Sequence, residues 1–168
     1  MRAGFQAVFL GLLALALAQA FWQHARRPER IASHFDAAGQ ADRWTTRPAR
    51  TAWQAAIVAL TAALVQGLVW FNRRVPDRHS RLPHRDYWLA PARRAATQDR
   101  LDAAFLAAGA CLMLFFLGLF HEVHRADLAG SAVRTSRAAP LLAGLLAAIA
   151  TVAALTLLPL NKPPDNGR

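Results

Sequence analysis

One cysteine, one lysine and one tyrosine occur in 168 residues, and acidic side chains number 10 against 20 basic ones. The lone cysteine, Cys111, sits in an apolar run, so neither an intrachain disulfide framework nor a cysteine-built metal centre is available. Signatures of several enzyme classes are missing too: there is no nucleophile elbow, no ordered Ser-His-Asp set and no phosphate-cradling glycine loop. The long apolar runs hold no Asp, Glu, Lys or His at their centres. Proton pumps and ion-coupled carriers need such groups there, which weighs against that class. The excess of base does not read as a nucleic-acid surface either, because the arginines crowd between apolar runs rather than over a polar face. Arginine outnumbers lysine 19 to 1 and alanine is abundant, a bias that source-genome composition accounts for.

What the chain does have is apolar length. At 55% hydrophobic residues it is too apolar for most water-soluble domains of its size. Four stretches, 3–22, 51–71, 101–120 and 138–160, each approach the roughly 20 residues a helix needs to cross about 30 Å of hydrocarbon. The expected fold is all-α: a single membrane domain over 1–168, a bundle of four transmembrane helices joined by loops at 23–50, 72–100 and 121–137, with a tail at 161–168. Gln6, Gln19, Gln54, Gln66 and Asp102 lie within the spans and are expected to turn toward neighbouring helices. Ala55, Ala59, Ala63 and Gly67 fall four apart, as do Ala139, Ala143, Ala147 and Thr151; such small faces let helices approach closely, within the bundle or in a homo-oligomer. Plain alanine abundance explains them equally well.

The first span has a rival reading. A basic start, an apolar core and Ala18-Gln19-Ala20 make a passable signal-peptidase site; the apolar run continuing through Phe21 and Trp22 favours a retained span with an interfacial tryptophan. Lys and Arg counted by side give 11 inside and 9 outside for a cytoplasmic N-terminus. That small bias favours an orientation with both termini inside and residues 23–50 and 121–137 on the outer side.

Residues 29–44, ERIASHFDAAGQADRW, follow Pro28 and are dense in polar and turn-forming side chains. Ile31 and Phe35 lie four apart and Gly39 supplies a turn, so the spacing predicts a short amphipathic helix on the membrane. Trp44 and Trp53 are then interfacial anchors, with Arg43, Arg47 and Arg50 reaching anionic headgroups of the bilayer. His34 and Asp36 are left without a role. On the inner side, Tyr87 and Trp88 near Arg81, Arg85, Arg93 and Arg94 form an aromatic and cationic surface bracketed by Pro83 and Pro91, suited to headgroups or to a cytoplasmic partner. Thr97, followed by Asp99, is expected to cap the third helix.

Pro28-Glu29-Arg30-Ile31, Ser33-His34-Phe35, Gly39-Gln40, Asp42 and Trp44 together resemble the "IP.HF...G..D.W" loop of a bacterial domain-of-unknown-function family, best known from the Sdp immunity proteins. A second run from Leu82 to Pro91, including Pro83, Asp86, Tyr87 and Trp88, resembles the "P..DYWLAP" segment of shorter members. The resemblance covers roughly residues 1–100. It departs at Ala32, where the family usually has proline, and at Ala92, where an acidic residue often follows. It implies a multi-pass bacterial membrane protein with an extracytoplasmic loop and, in the Sdp branch, an involvement in peptide-toxin immunity and signalling.

His121, Glu122 and His124 end the third span. Histidines at i and i+3 share a helix face and can bind a divalent metal, although the spacing is not that of H-E-x-x-H. The topology puts His24, His34 and Asp36 on the same side, so a composite metal site of His34, Asp36, His121, Glu122 and His124 is one candidate, and pH sensing by the same imidazoles another. The ordinary alternative is interfacial histidines with Glu122 paired to Arg125. Three classes follow. The leading one is a non-catalytic membrane protein without cofactor whose outer loop binds a peptide, a lipid or a membrane-protein partner. A metal-dependent enzyme or sensor comes second, and a small transporter subunit with a path built from the glutamines third.

Overall fold

The structure is a computed structural model that describes residues 2–36, 41–76, 79–80, 82–132 and 135–162. In chain order it contains α1 (Arg2–His24), β1 (Arg30–Phe35), β2 (Ala41–Thr46), α2 (Arg47–Asn72), the one-turn α3 (Arg85–Trp88), α4 (Pro91–Ala129), α5 (Thr135–Leu157) and a closing 3-10 turn (Leu158–Asn161). Four helical segments are long and apolar enough to cross a membrane. The chain is thus an all-α four-helix membrane bundle carrying one small hairpin.

Local chemistry sets the helix ends. Thr46 stands in extended backbone before α2 and its hydroxyl accepts from the Ala49 amide at 3.4 Å, with Pro48 in the first turn, where no amide is needed. Pro91 opens α4 in the same way. Gly130 closes it with φ at +60°, and the Ser131 amide returns to the Ala126 carbonyl at 3.1 Å; glycine meets that left-handed conformation without a Cβ clash.

At 39 residues α4 is about 58 Å long, nearly twice the hydrocarbon thickness. The sequence reading placed a 20-residue span at 101–120 and its start at Thr97. The helix instead begins at Pro91, and Thr97 lies buried in its second turn, donating to the Trp88 carbonyl at 2.9 Å. His121, Glu122 and His124 accordingly lie on a helix that continues to Ala129, not in a loop.

The extended α4 is the axis of the bundle: α1, α2 and α5 each pack along it, and α1 also packs on α2. The core between them is built from Phe9 and Ala16 of α1, Val58, Ala62, Val65 and Val69 of α2, and Leu106, Met113 and Phe120 of α4. The three helices come close together at Gly109, where a Cβ would lie 2.9 Å from both the Phe9 ring and the Val65 methyls. The expected small-residue faces are elsewhere. Ala59, Ala63 and Gly67 point outward, and α2 packs through Gln54, Val58, Ala62, Val65 and Val69; Ala139, Ala143, Ala147 and Thr151 face outward on α5. The branched valines of α2 interlock with Phe9, Leu106 and Met113 in the core, so van der Waals packing puts them on the inner side.

Polar groups lock both ends of the core. At the N-terminal end of α1, Asp102 is fully buried; its carboxylate lies 3.2 Å from Arg2 Nε, 2.6 Å from Arg73 Nε and 2.8 Å from Asn72 Nδ2. Arg73, which also bonds Asp99, has its pKa raised by these hydrogen bonds. Along α1, Gln19 and Gln23 donate to the Leu117 and Phe120 carbonyls of α4 at 2.9 and 3.1 Å. In the membrane such bonds hold helices together where hydrophobic drive is absent.

Candidate functional site: a pinned hairpin above the bundle

Residues 29–44 form strands, not the amphipathic helix the apolar spacing suggests. β1 pairs antiparallel with β2, regularly from Arg30↔Thr46 to Ala32↔Trp44; the pairing then slips so that His34 faces Arg43, and it returns to frame at Phe35↔Ala41. A spacing of four residues fits one face of a regular strand as well as one face of a helix, so the apolar stripe could not distinguish the two. Gly39, the expected turn residue, lies outside the described residues.

The slip leaves Ser33 and Asp42 without register partners. An irregularity of this kind re-aims side chains. Here His34 Nδ1 comes within 2.6 Å of Asp42 Oδ1, both groups about half exposed. Trp44 is 54% exposed, and the Arg30 guanidinium lies 5.6 Å from its ring centre. Asp36 is exposed at the end of β1.

The inner surface of the hairpin is anchored. Ile31 is buried to 1% exposure, the Arg47 amide donates to the Glu29 carbonyl at 3.0 Å, and Arg50 Nη2 donates to the Ala32 carbonyl at 3.0 Å. The same Arg50 nitrogen lies 3.2 Å from Asp127 Oδ1 on α4. Asp127 in turn faces Arg27, whose Nε is 3.1 Å from Oδ2, an ion pair by distance rather than an aligned hydrogen bond.

Arg27 is the centre of this network. Its side chain is fully buried, and Nη2 donates to Gln23 Oε1 at 3.0 Å and to Gln54 Oε1 at 2.8 Å. Burial lowers the Arg27 pKa and the Asp127 carboxylate opposes that shift. One arginine thereby ties α1, α2 and α4 beneath the hairpin, while His24 and Thr51 add a 3.0 Å contact between α1 and α2. Sequence reasoning singled out neither Arg27 nor Asp127. Arg27 looks like its exposed neighbour Arg26, and Asp127 fell in what was expected to be a loop. The available signal was Gln23 and Arg27, four residues apart at the end of the first span, with a second glutamine, Gln54, near the start of the next.

The histidine candidates are not brought together. His34 sits on the hairpin with Asp42, whereas His124 is buried with its ring 5.6 Å from that of Trp22. Glu122 lies 3.8 Å from Arg125 and 3.3 Å from Arg137. Among the described residues no group of three or more His, Cys, Asp or Glu side chains is arranged to hold a metal ion. The composite set His34, Asp36, His121, Glu122 and His124 is therefore dispersed over two elements.

The inner motif is used within the chain. Trp88 Nε1 donates to the Leu160 carbonyl at 2.8 Å and His84 Nε2 lies 3.1 Å from the Asn161 carbonyl oxygen. Tyr87 packs edge-on against Trp88, and the Arg93 guanidinium stacks 3.8 Å over the Tyr87 ring. Pro83 enters this turn, Asp86 stays at the surface beside Arg85, and Pro91 starts α4. Together they clasp the C-terminal end of the bundle to the start of α4.

Residues 9–65 match a protein-family model described as a domain of unknown function, DUF1648. The match spans most of α1, the whole hairpin and nearly the first three quarters of α2, and so includes Arg27, His34, Asp42, Trp44 and Arg50. No curated protein and no solved structure matches the chain.

Proposed function

We propose that the hairpin is a docking element for an extended peptide segment, presented on the outer face of a bacterial inner membrane by a non-catalytic protein with both termini in the cytoplasm. The observation that carries this reading is the two-stranded sheet itself: β1 is buried against the bundle through Ile31 and Ala32, and β2 is the strand left facing out. A strand paired on one side offers a row of backbone donors and acceptors to an incoming chain. Trp44 supplies an aromatic anchor beside that row, and the His34–Asp42 pair a polar one. The resemblance to the Sdp immunity branch, with its link to peptide toxins and signalling, supports a peptide as the occupant. The arginine bias between loops supports the orientation.

The test is selection of linear peptides from a displayed library against the protein in lipid nanodiscs, followed by binding to the Trp44→Ala variant. Enriched peptides are expected to bind wild type and to lose about thirtyfold in affinity to the variant, the cost of a central aromatic hot spot. Methylating alternate backbone amides of the peptide should weaken it similarly. Peptides that bind Trp44→Ala unchanged, or none enriched over empty nanodiscs, would overturn the proposal.

A further inference from the structure

At the opposite end of the molecule, α1 and α5 flank α4 without a packed interface of their own, and a groove of about 460 Å³ runs between them. Its floor is small: Ala103, Ala104 and Ala107 follow one another at helical spacing on α4. Phe5 of α1 walls one side and Leu155 of α5 the other. Arg100 stands at the end of the groove, one turn before the alanine floor, where the apolar stretch of α4 begins. One of its nitrogens donates to the Leu155 carbonyl at 2.8 Å, and among the described residues it makes no ion pair.

An apolar slot ending in an unpaired guanidinium at the edge of a membrane span matches an amphiphile with an anionic head. The chain as a whole carries a formal charge of +10, which complements an anionic surface. We infer that the α1–α4–α5 groove is a binding site for an anionic phospholipid, one acyl chain lying over Ala103, Ala104 and Ala107 and the phosphate paired with Arg100. The lipid would fill the gap between α1 and α5 and couple α5 to the rest of the bundle.

The test uses the full chain, purified in mild detergent, washed free of lipid and titrated with phosphatidylglycerol or phosphatidylcholine, with bound lipid counted by native mass spectrometry. The expected result is one tightly retained phosphatidylglycerol per chain and weaker retention of phosphatidylcholine. Arg100→Gln should weaken phosphatidylglycerol about fivefold, the effect of one basic residue near an anionic lipid. Ala107→Leu should abolish retention by filling the floor while leaving every charge in place; if that variant loses helicity, Ala104→Leu carries the same test. Arg74→Gln is the control, since Arg74 lies at the same end but stacks 4.2 Å from the Trp70 ring centre, away from the groove. Equal retention of the two lipids, full retention by the leucine variants, or an equal loss in Arg74→Gln and Arg100→Gln would each overturn the assignment.

Discussion

Two adjacent arginines, indistinguishable by residue type, have opposite fates. Arg26 is exposed and stacks 4.1 Å from the Trp22 ring centre, whereas Arg27 is buried against Gln23, Gln54 and Asp127. Removing one partner of a buried ion pair strands the other charge at a cost of about 3–5 kcal/mol. Arg27→Met is therefore expected to lower unfolding stability in mixed micelles by about that amount, and Arg26→Met by a small fraction of it; equal effects would mean that the Arg27 network contributes little. Gly109 makes a second prediction at this scale. A methyl there gains helix propensity of about 1 kcal/mol but meets the Phe9 ring and both Val65 methyls, core groups with no room to retreat, at an overpacking cost of about 1–3 kcal/mol. Gly109→Ala should be mildly destabilising and Gly109→Leu severely so, measured by the same unfolding assay. Gly67 is the contrast: nothing lies within 4 Å of the Cβ it lacks, so Gly67→Ala should be neutral or stabilising.

The hairpin depends on one side chain for its attachment at Ala32. Arg50 donates to the Ala32 carbonyl and pairs with Asp127, and a hydrogen bond from a charged group is worth about 1.5–3 kcal/mol. Arg50→Ala should raise hydrogen exchange across β1 and β2 by about tenfold or more while the protection of α1 and α4 is retained. Exchange rising equally throughout would show that the hairpin and bundle open as one unit. The elements differ in how legible they were in the sequence. Four spans could be read from apolar length alone, because a membrane imposes that length on any crossing helix. The hairpin could not, since Ile31 and Phe35 fit either period and the determining contacts join residues 30–32 to 44–46. Nor could the inner faces of α2 and α5 be chosen: alanine rows occur on several sides, and it is the valines and Gln54 that the partner helices select. The motif residues His34, Asp42 and Trp44 were legible as a group, but their mutual geometry depends on a local register slip.

Across the whole molecule, burial is unevenly shared. The core cluster draws on α1, α2 and α4 and includes no residue of α5, and of the α5 span only 6% is buried. Its contact with α4 runs through positions such as Leu141, which sits close to Gly118, and its end is held by the clasp of Trp88 on Leu160. Both polar locks, Asp102 at one end and Arg27 with Asp127 at the other, also join α1, α2 and α4 only. The polar ties of α5 to α4, Arg137 with Glu122 and Arg100 with the Leu155 carbonyl, are exposed. In a bilayer, lipid is as good an apolar neighbour as another helix, so α5 gains less by packing than the helices joined by buried polar groups. The three-helix unit should then be the stable body and α5 the separable element. A chain ending at Gly130 is expected to insert, keep the helicity of α1, α2 and α4, and unfold within a few degrees of the full chain when followed by circular dichroism in detergent. A collapse of the transition would place α5 inside the cooperative unit and assign the clasp at Trp88 a larger share of the stability than its two hydrogen bonds suggest.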